Sequence, residues 1–224
     1  WYVTGEDAPV WHAGMDNPLN HFLSLGRAIL QLALATGKQE YVDRAAAMEL
    51  TLRNSLEVGD NGAFTWPYWW PKGDAYAGWD IDEPRSSYRP WYPANTVAED
   101  TSHGQIEVNF ALEAYRAFPR LRVGHRPRFG AHDLTRLAAT FTRNVAATDD
   151  DGRATVRRFV DGSGDTGLEA YERQAAAWAG LTPWDDEVLE HLTEIFTTRE
   201  FALQPSTLYC VAWLNHAKRG ARPR

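Results

Sequence analysis

The sequence predicts an all-α protein built from helical hairpins, and the spacing of apolar residues carries that prediction. Apolar side chains recur every three to four positions through most of the chain, as in amphipathic helices. Gly-containing and polar breaks divide this pattern into segments of ordinary helix length. The 224 residues, of which 44% are hydrophobic and 24% are charged, fit a soluble globular protein with a substantial core.

Seven segments carry the helical period. In the first, Leu19, Phe22 and Ile29 share one face and Gly37 ends the helix. Residues 153–160 alternate like a short strand instead. The predicted helices cover residues 17–36, 39–57, 102–118, 130–148, 167–180, 184–198 and 205–218.

The segment 58–99 has no helical period and is rich in Gly, Pro and aromatic residues. Such a long irregular connection is rare in a compact domain and is usually functional. The run from Trp66 to Trp70 contains four aromatic residues around Pro67, and they cannot all point into a core. We therefore expect an ordered loop or short strands in which one or more aromatic rings line a cleft.

Helical hairpins that stack on one another form either a solenoid or a closed α/α toroid. The aromatic-rich insertion favours the toroid, in which the inner helices point their starts toward one open face. We expect a single α/α-toroid domain over residues 1–224. Its length predicts a small or incomplete barrel, or else the C-terminal part of a longer protein.

The stretch 99–107 combines a helix start with several titratable side chains. Glu99 and Asp100 precede the helix, His103 lies in its first turn, and Glu107 follows one turn later on the same face. The aromatic-rich loop leads directly into this stretch. Titratable groups beside aromatic rings predict a site for a polar, flat-faced ligand such as a sugar.

The charge of His103 depends on two opposing effects. We expect Thr101 or Ser102 to cap the helix, which places His103 beside the positive end of the helix dipole. That position disfavours the protonated imidazole, whereas the carboxylate of Glu107 favours it. The sequence leaves the sign of the net effect open.

Three motifs together resemble the α/α-toroid carbohydrate-active enzymes, especially polysaccharide lyases and uronate-processing relatives. They are Asn20-His21 on a predicted inner helix, the stretch 66–69, and the stretch 99–104. The similarity in general layout covers about residues 15–215. It implies β-elimination from a uronic acid, which needs a group that neutralises the substrate carboxylate, a base and an acid.

The resemblance also implies roles for particular residues. His103 is expected to be the base or the neutralising group, Asn20 and His21 to contact the substrate carboxylate, and Tyr171 to donate the proton. The residues expected to bind substrate are Trp66, Tyr68, Trp69, Trp70, Glu99, Asp100, Gln105, Glu107 and Arg173.

Two other functions stay open at this stage. An inverting glycoside hydrolase on the same fold would use Asp100 with Glu107 or Glu172 as its two carboxyl groups. A non-catalytic carbohydrate-binding domain would hold its glycan through aromatic residues such as Trp69.

Composition excludes several other classes. The formal net charge of -7 argues against nucleic acid, and no apolar run is long enough for a transmembrane helix. The single Cys210 allows neither a disulfide framework nor a Cys-based zinc site. Asp100, His103 and Glu107 form an incomplete ligand set, so neither a metal nor a cofactor is predicted. The expected partner is an acidic polysaccharide or oligosaccharide, and only that substrate favours a secreted or periplasmic location.

Overall fold

The protein is mainly α-helical, which confirms the predicted class at that level. The computed structural model describes residues 2–10, 13–86, 88–121 and 128–220. Its helices are α1 (Leu19–Thr36), α2 (Gln39–Ser55), α3 (Asp74–Ala77), α4 (Thr101–Ala117), α5 (Ala131–Ala139), α6 (Glu169–Ala175), α7 (Asp186–Thr198) and α8 (Pro205–Gly220). Two antiparallel strand pairs accompany them, β1 (Glu57–Val58) with β2 (Phe64–Thr65), and β3 (Ala146–Thr148) with β4 (Ala154–Val156).

Two predicted helices change character partway along. Residues 140–145 continue α5 as a π-helical turn, and 176–184 continue α6 as a 3₁₀ helix. In the first, Thr140 donates its hydroxyl to the carbonyl of Phe64 at 2.6 Å, a tertiary bond that a sequence period does not reveal. In the second, Pro183 has no N–H to donate and cannot continue a regular α-helix.

Helices α1 and α4 pack side by side and run in the same direction. Gly26 faces the ring of Phe110, and a Cβ on Gly26 would lie only 2.9 Å from that ring. One residue further along α1, Arg27 binds Glu113 with a nitrogen–oxygen distance of 2.7 Å. Later residues of α1 therefore contact later residues of α4. The two helices are parallel and start at the same end of the molecule.

The same direction continues through the segment 169–184. Asn109 on α4 donates its side-chain amide to the carbonyl of Ala177 at 3.2 Å. Further along both segments, the rings of Tyr115 and Trp184 lie 5.8 Å apart. Helix α8 runs in the same direction, since the thiol of Cys210 contacts the carbonyl of Gln174 at 3.4 Å and, further along both segments, a Cβ on Gly180 would lie 3.4 Å from Trp213. The starts of α1, α4, α6 and α8 thus point the same way.

Two apolar clusters form the interior. The larger lies between the helices and contains Trp66, Phe110 and Trp178, all nearly or fully buried. The smaller consists of Met15, Trp69, Ala75, Trp79 and Tyr92 in the aromatic-rich segment. Among the helices in the described ranges, none is both long enough and apolar enough to cross a lipid bilayer.

Three extended backbone segments meet where α4 begins. The N–H of Glu99 donates to the carbonyl of Trp66, and the N–H of Val160 donates to the carbonyl of Glu99, each at 2.9 Å. The N–H of Thr101 donates to the carbonyl of Arg158 at 2.7 Å. This backbone ladder holds Glu99 on both sides and fixes the position from which α4 starts.

The packing of α1 is tested by one substitution made at two positions. Leu23 is fully buried in the larger cluster, whereas Leu25 is exposed. We expect Leu23→Ala to lower the free energy of unfolding by about 2–5 kcal/mol, because it removes buried apolar atoms and leaves a cavity. Leu25→Ala is the matched control and is expected to change it by less than about 0.5 kcal/mol. Urea unfolding followed by tryptophan fluorescence measures both, and equal losses would contradict the packing described for α1.

Candidate functional site

Asp100 is the N-cap of α4, not Thr101 or Ser102 as the sequence predicted. One carboxylate oxygen of Asp100 accepts the backbone N–H groups of Ser102 at 2.9 Å and of His103 at 3.0 Å. Thr101 instead donates its hydroxyl to the carbonyl of Arg157 at 2.7 Å. A carboxylate cap satisfies free N–H groups and places negative charge at the positive end of the helix dipole.

The second carboxylate oxygen of Asp100 holds the ring of His103. Nδ1 of His103 lies 2.6 Å from Oδ2 of Asp100. Because a carboxylate only accepts, Nδ1 carries the proton and Nε2 is the nitrogen left for a ligand. The His103 side chain is 46% exposed and that of Asp100 is 15% exposed. The Asp100–His103 pair therefore reaches solvent through the imidazole.

The charges of this pair support each other. The hydrogen bond to Asp100 raises the pKa of His103, and this effect outweighs the partial burial of the ring. Burial alone would raise the pKa of Asp100, but the hydrogen bonds from His103 and Ser102 lower it overall. The sequence left open whether the pKa of His103 is raised or lowered, and the structure shows that it is raised.

A buried pair of carboxyl groups lies beneath His103. Glu99 is 0% exposed and Glu107 is 1% exposed. Burial raises the pKa of Glu107 to about 7, and burial together with the Glu107 charge raises the pKa of Glu99 well above its ordinary value. The two side chains lie within hydrogen-bonding reach of each other. Within the described residues, Oε2 of Glu99 and both side-chain oxygens of Glu107 accept no hydrogen bond, unless one of the two carboxyl groups carries a proton and donates it.

Tyr68 joins the start of α1 to the same place. Its backbone carbonyl accepts the N–H of Leu19 at 3.1 Å, and its ring lies edge-on to His103 with 6.1 Å between ring centres. Burial raises the pKa of the Tyr68 phenol, and the charges of Glu99 and other nearby carboxylates add to the increase. The amide of Asn20 is fully buried next to this phenol and partly offsets the increase.

We call these six residues the His103 cluster. Its members come from α1, the aromatic-rich segment and the start of α4, and all six were expected to take part in the site. They are Asn20, Tyr68, Glu99, Asp100, His103 and Glu107.

The aromatic residues that were expected to line a cleft and stack on a sugar are largely buried instead. Trp66 is 2% exposed and packs in the larger apolar cluster, 6.3 Å from Trp178 between ring centres. Trp69 is buried in the smaller cluster, and Trp70 is half-buried. Since a sugar stacks on an open ring face, Trp66 and Trp69 do not provide one. The Trp69 ring instead packs edge-on against Tyr68, and the Trp66 ring packs in the core close to Gly104.

Two more predicted residues on α1 and α4 stand outside the cluster. His21 follows Asn20 on α1, but its side chain is exposed. Gln105 is half-buried and accepts the side-chain amide of Asn109 at 3.1 Å. The helical turn separates these side chains from Asn20 and His103, since neighbours one or two positions apart face different sides of a helix.

Tyr171 and Arg173 on α6 are also separate from the cluster. Tyr171 packs against the larger apolar core, and the guanidinium of Arg158 lies 5.9 Å from its ring centre. Arg173 pairs with Glu169 at 3.5 Å. Arg158 is an exposed cation whose backbone carbonyl accepts the N–H of Thr101 beside the site, while its guanidinium lies over the rings of Phe159 and Tyr171. No local motif marks it, because the backbone ladder alone brings it there.

One group in the described residues has the spacing of metal ligands. Ligand atoms of Glu99, Asp100 and His103 lie within 4.8 Å of one another. Both carboxylate oxygens of Asp100 already accept hydrogen bonds from the α4 start and from His103. This bonding is that of a hydrogen-bonded acid–imidazole pair, and the donor set fits proton transfer better than metal binding.

Comparisons of the chain with models of protein families, with curated proteins and with solved structures found no match. The resemblance to α/α-toroid enzymes therefore stays a prediction, and the function is argued from the His103 cluster.

The cap is tested with two substitutions of Asp100. We expect Asp100→Ala to lower the free energy of unfolding by about 0.5–2 kcal/mol, because it removes the acceptor for two backbone N–H groups. Asp100→Asn keeps an oxygen that can cap the helix, so we expect it to lower the free energy of unfolding by less than Asp100→Ala does. Urea unfolding above the pKa of His103 compares them without the ion pair. Equal losses for the two variants would show that the cap is not what Asp100 contributes.

The buried carboxyl pair predicts how stability depends on pH. The pKa of Glu107 is raised in the folded state, from 4.5 to about 7, so folding retains a proton that the unfolded chain releases. Its stabilising contribution is present below the unfolded pKa and is lost as the pH rises through the folded pKa. Relative to Glu107→Gln, the wild-type free energy of unfolding should fall over this range, by at most about 1.4 kcal/mol per pH unit for one proton.

The measurement is urea unfolding at a series of pH values. The exposed Glu190→Gln on α7 is the matched control, and its curve should run parallel to that of the wild type. A parallel curve for Glu107→Gln as well would contradict a retained proton at this pair.

Proposed function

We propose that the protein is an enzyme that cleaves a uronate-containing polysaccharide by β-elimination, with His103 as the base. The observation that carries this proposal is the Asp100–His103 pair, joined at 2.6 Å and partly open to solvent, with the Tyr68 ring beside it. In such an elimination a base removes the proton next to the substrate carboxylate, and an acid protonates the leaving glycosidic oxygen. A histidine and a tyrosine side by side supply both groups.

Asp100 gives His103 the form that a base needs. With the proton held on Nδ1, the neutral ring presents the Nε2 lone pair to the substrate. Once Nε2 has taken the substrate proton, the carboxylate stabilises the imidazolium, as in other acid–histidine pairs. Since the pKa of His103 is raised, activity is expected to increase with pH as the ring loses its proton.

Tyr68 takes the proton-donor role that the sequence assigned to Tyr171. Its phenol has a raised pKa and keeps its proton at neutral pH, and its ring lies beside His103. Asn20 is too buried to contact a ligand directly, but its amide lies next to the phenol and lowers its pKa. In this proposal Asn20 is a positioning residue, not a contact for the substrate carboxylate.

The substrate carboxylate is assigned to the side of Arg158. This exposed guanidinium lies 4.8 Å from the ring centre of Phe159, whose backbone pairs with that of Asp100. The start of α1 adds positive potential at the same end, whereas the start of α4 is already compensated by the Asp100 carboxylate. Arg158 and the start of α1 together favour an anionic sugar at this end of the helices.

The helix directions support the toroid that the sequence predicts. In an α/α toroid the inner helices are parallel and present their starts on one face. Helices α1, α4, α6 and α8 have this relation, and the His103 cluster lies at the starts of the first two. We propose that the described helices form part of such a ring.

The geometry favours elimination over hydrolysis by two carboxyl groups. An inverting hydrolase needs two accessible carboxyl groups about 6.5–9.5 Å apart. Glu107 is buried, and both oxygens of Asp100 accept hydrogen bonds. Glu172 is 2% exposed and binds Thr155 at 2.6 Å. In the remaining alternative, a binding domain, Trp69 does not offer an open ring face, since it is 4% exposed.

The proposal predicts that His103→Ala loses at least about 100-fold in turnover, because general base catalysis contributes about that much or more. The exposed His132→Ala on α5 is the matched control and should keep full activity. Tyr68→Phe should lose activity as well, while Tyr171→Phe should retain most of it. Circular dichroism and urea unfolding check that each variant is folded.

The assay offers a panel of polyuronates and neutral glycans and follows ultraviolet absorbance and reducing ends together. New reducing ends with rising absorbance mean an unsaturated product and support the lyase. New reducing ends without absorbance would overturn elimination in favour of hydrolysis. If the wild type cleaves no glycan, the enzymatic proposal fails and glycan binding becomes the function to measure.

A further inference from the structure

We propose that Glu99 and Glu107 form a carboxyl pair that shares one proton and sets the charge state of His103 through Asp100 and through space. Both residues then act as positioning residues beneath the base, not as substrate contacts. The effect on turnover rests on the proposed function, whereas the effect on the charge of His103 does not.

The position of Glu99 leaves its carboxyl group little freedom. Its backbone is bonded on one side to Trp66 and on the other to Val160. One side-chain oxygen, Oε1, accepts the backbone N–H of Asp100 at 3.0 Å. Glu99 is therefore bonded to the residue that caps α4 and holds His103. A change in charge at Glu99 acts directly on that residue.

Glu107 approaches the same place from within α4. It lies one turn after His103 on the same face and is almost completely buried. Between them, Gly104 allows the helix to press on the core, because a Cβ there would lie 3.1 Å from both Trp178 and Val160. The pair thus sits behind apolar side chains, where an uncompensated charge is costly.

The groups that face the pair come from every neighbouring segment. The segment before α4 contributes Asp100, the first turn of α4 contributes His103, the aromatic-rich segment contributes Tyr68, and α1 contributes the uncharged Asn20. Of these, only His103 can carry positive charge. The segment 157–160, which pairs with Glu99, adds the cation Arg158, whose guanidinium lies over the rings of Phe159 and Tyr171. With both Glu side chains ionised, three carboxylates would surround one imidazolium.

A shared proton resolves this excess of negative charge. The protonated carboxyl group donates its O–H to the other carboxylate, and this bond satisfies two of the three oxygens that otherwise lack a partner. The charge left on the pair then favours the imidazolium form of His103. When the pair releases its proton to solvent at higher pH, the added charge strengthens the hold of His103 on its own proton.

The test replaces Glu107 by Gln, which keeps the size of the side chain and supplies a permanent donor but no charge. A pH titration followed by nuclear magnetic resonance of the imidazole C–H signals measures the titration midpoint of His103, which is the pH at which its ring is half protonated. The His103 signal is identified by its loss in His103→Gln. We expect the midpoint to move to lower pH in Glu107→Gln and to stay in place in the control Glu190→Gln. In an active enzyme, the acidic limb of the rate profile should move with it.

An unchanged His103 midpoint in folded Glu107→Gln would overturn the proposal. A second measurement is made on the wild type and on Glu49→Gln, because burial also raises the pKa of Glu49, on α2, to about 7. Infrared spectra of protein carrying carbon-13 in its Glu carboxyl groups should show a protonated carboxyl band at neutral pH that disappears on raising the pH. Absence of that band from Glu49→Gln would also overturn the pair. Neither readout uses a glycan, so failure of the proposed lyase activity is recognised separately.

Discussion

The carboxylate of Asp100 is the interaction on which the site depends. One oxygen satisfies two N–H groups at the start of α4, and the other holds the imidazole of His103. Each bond limits the freedom of the other, because a carboxylate that caps a helix cannot rotate away from its second partner. The helix start and the imidazole are thereby oriented together, with only one side chain ordered for both purposes.

The backbone ladder beneath this interaction gives it a rigid support. Extended segments around Trp66, Glu99 and Val160 pair across three different parts of the chain and deliver Asp100 to a defined position. Trp66, from the aromatic-rich segment, fills the core under this ladder. A long loop thus becomes an ordered wall of the site through packing and hydrogen bonds.

Charge at this site is balanced largely by protons. The buried carboxyl groups of Glu99 and Glu107 face one imidazole, so proton positions decide the local electrostatics. Such a site is sensitive to pH, because the pKa values of His103, Glu99 and Glu107 are all raised. Proton transfer is the chemistry that these groups suit, and in the proposed function an anionic ligand relies on Arg158 for its counter-charge.

The sequence by itself determined the helical class, the approximate helix bounds and the stretch that carries His103, because these follow from local periodicity and spacing. It also indicated that Asp100 and Glu107 would lie near His103, since they share one turn and one face. Only the tertiary structure decided that Tyr68 and not Tyr171 stands beside the imidazole, and that Trp66 is buried. Those outcomes depend on pairing between distant segments and on competition among rings for one core. Local patterns carry no information about either.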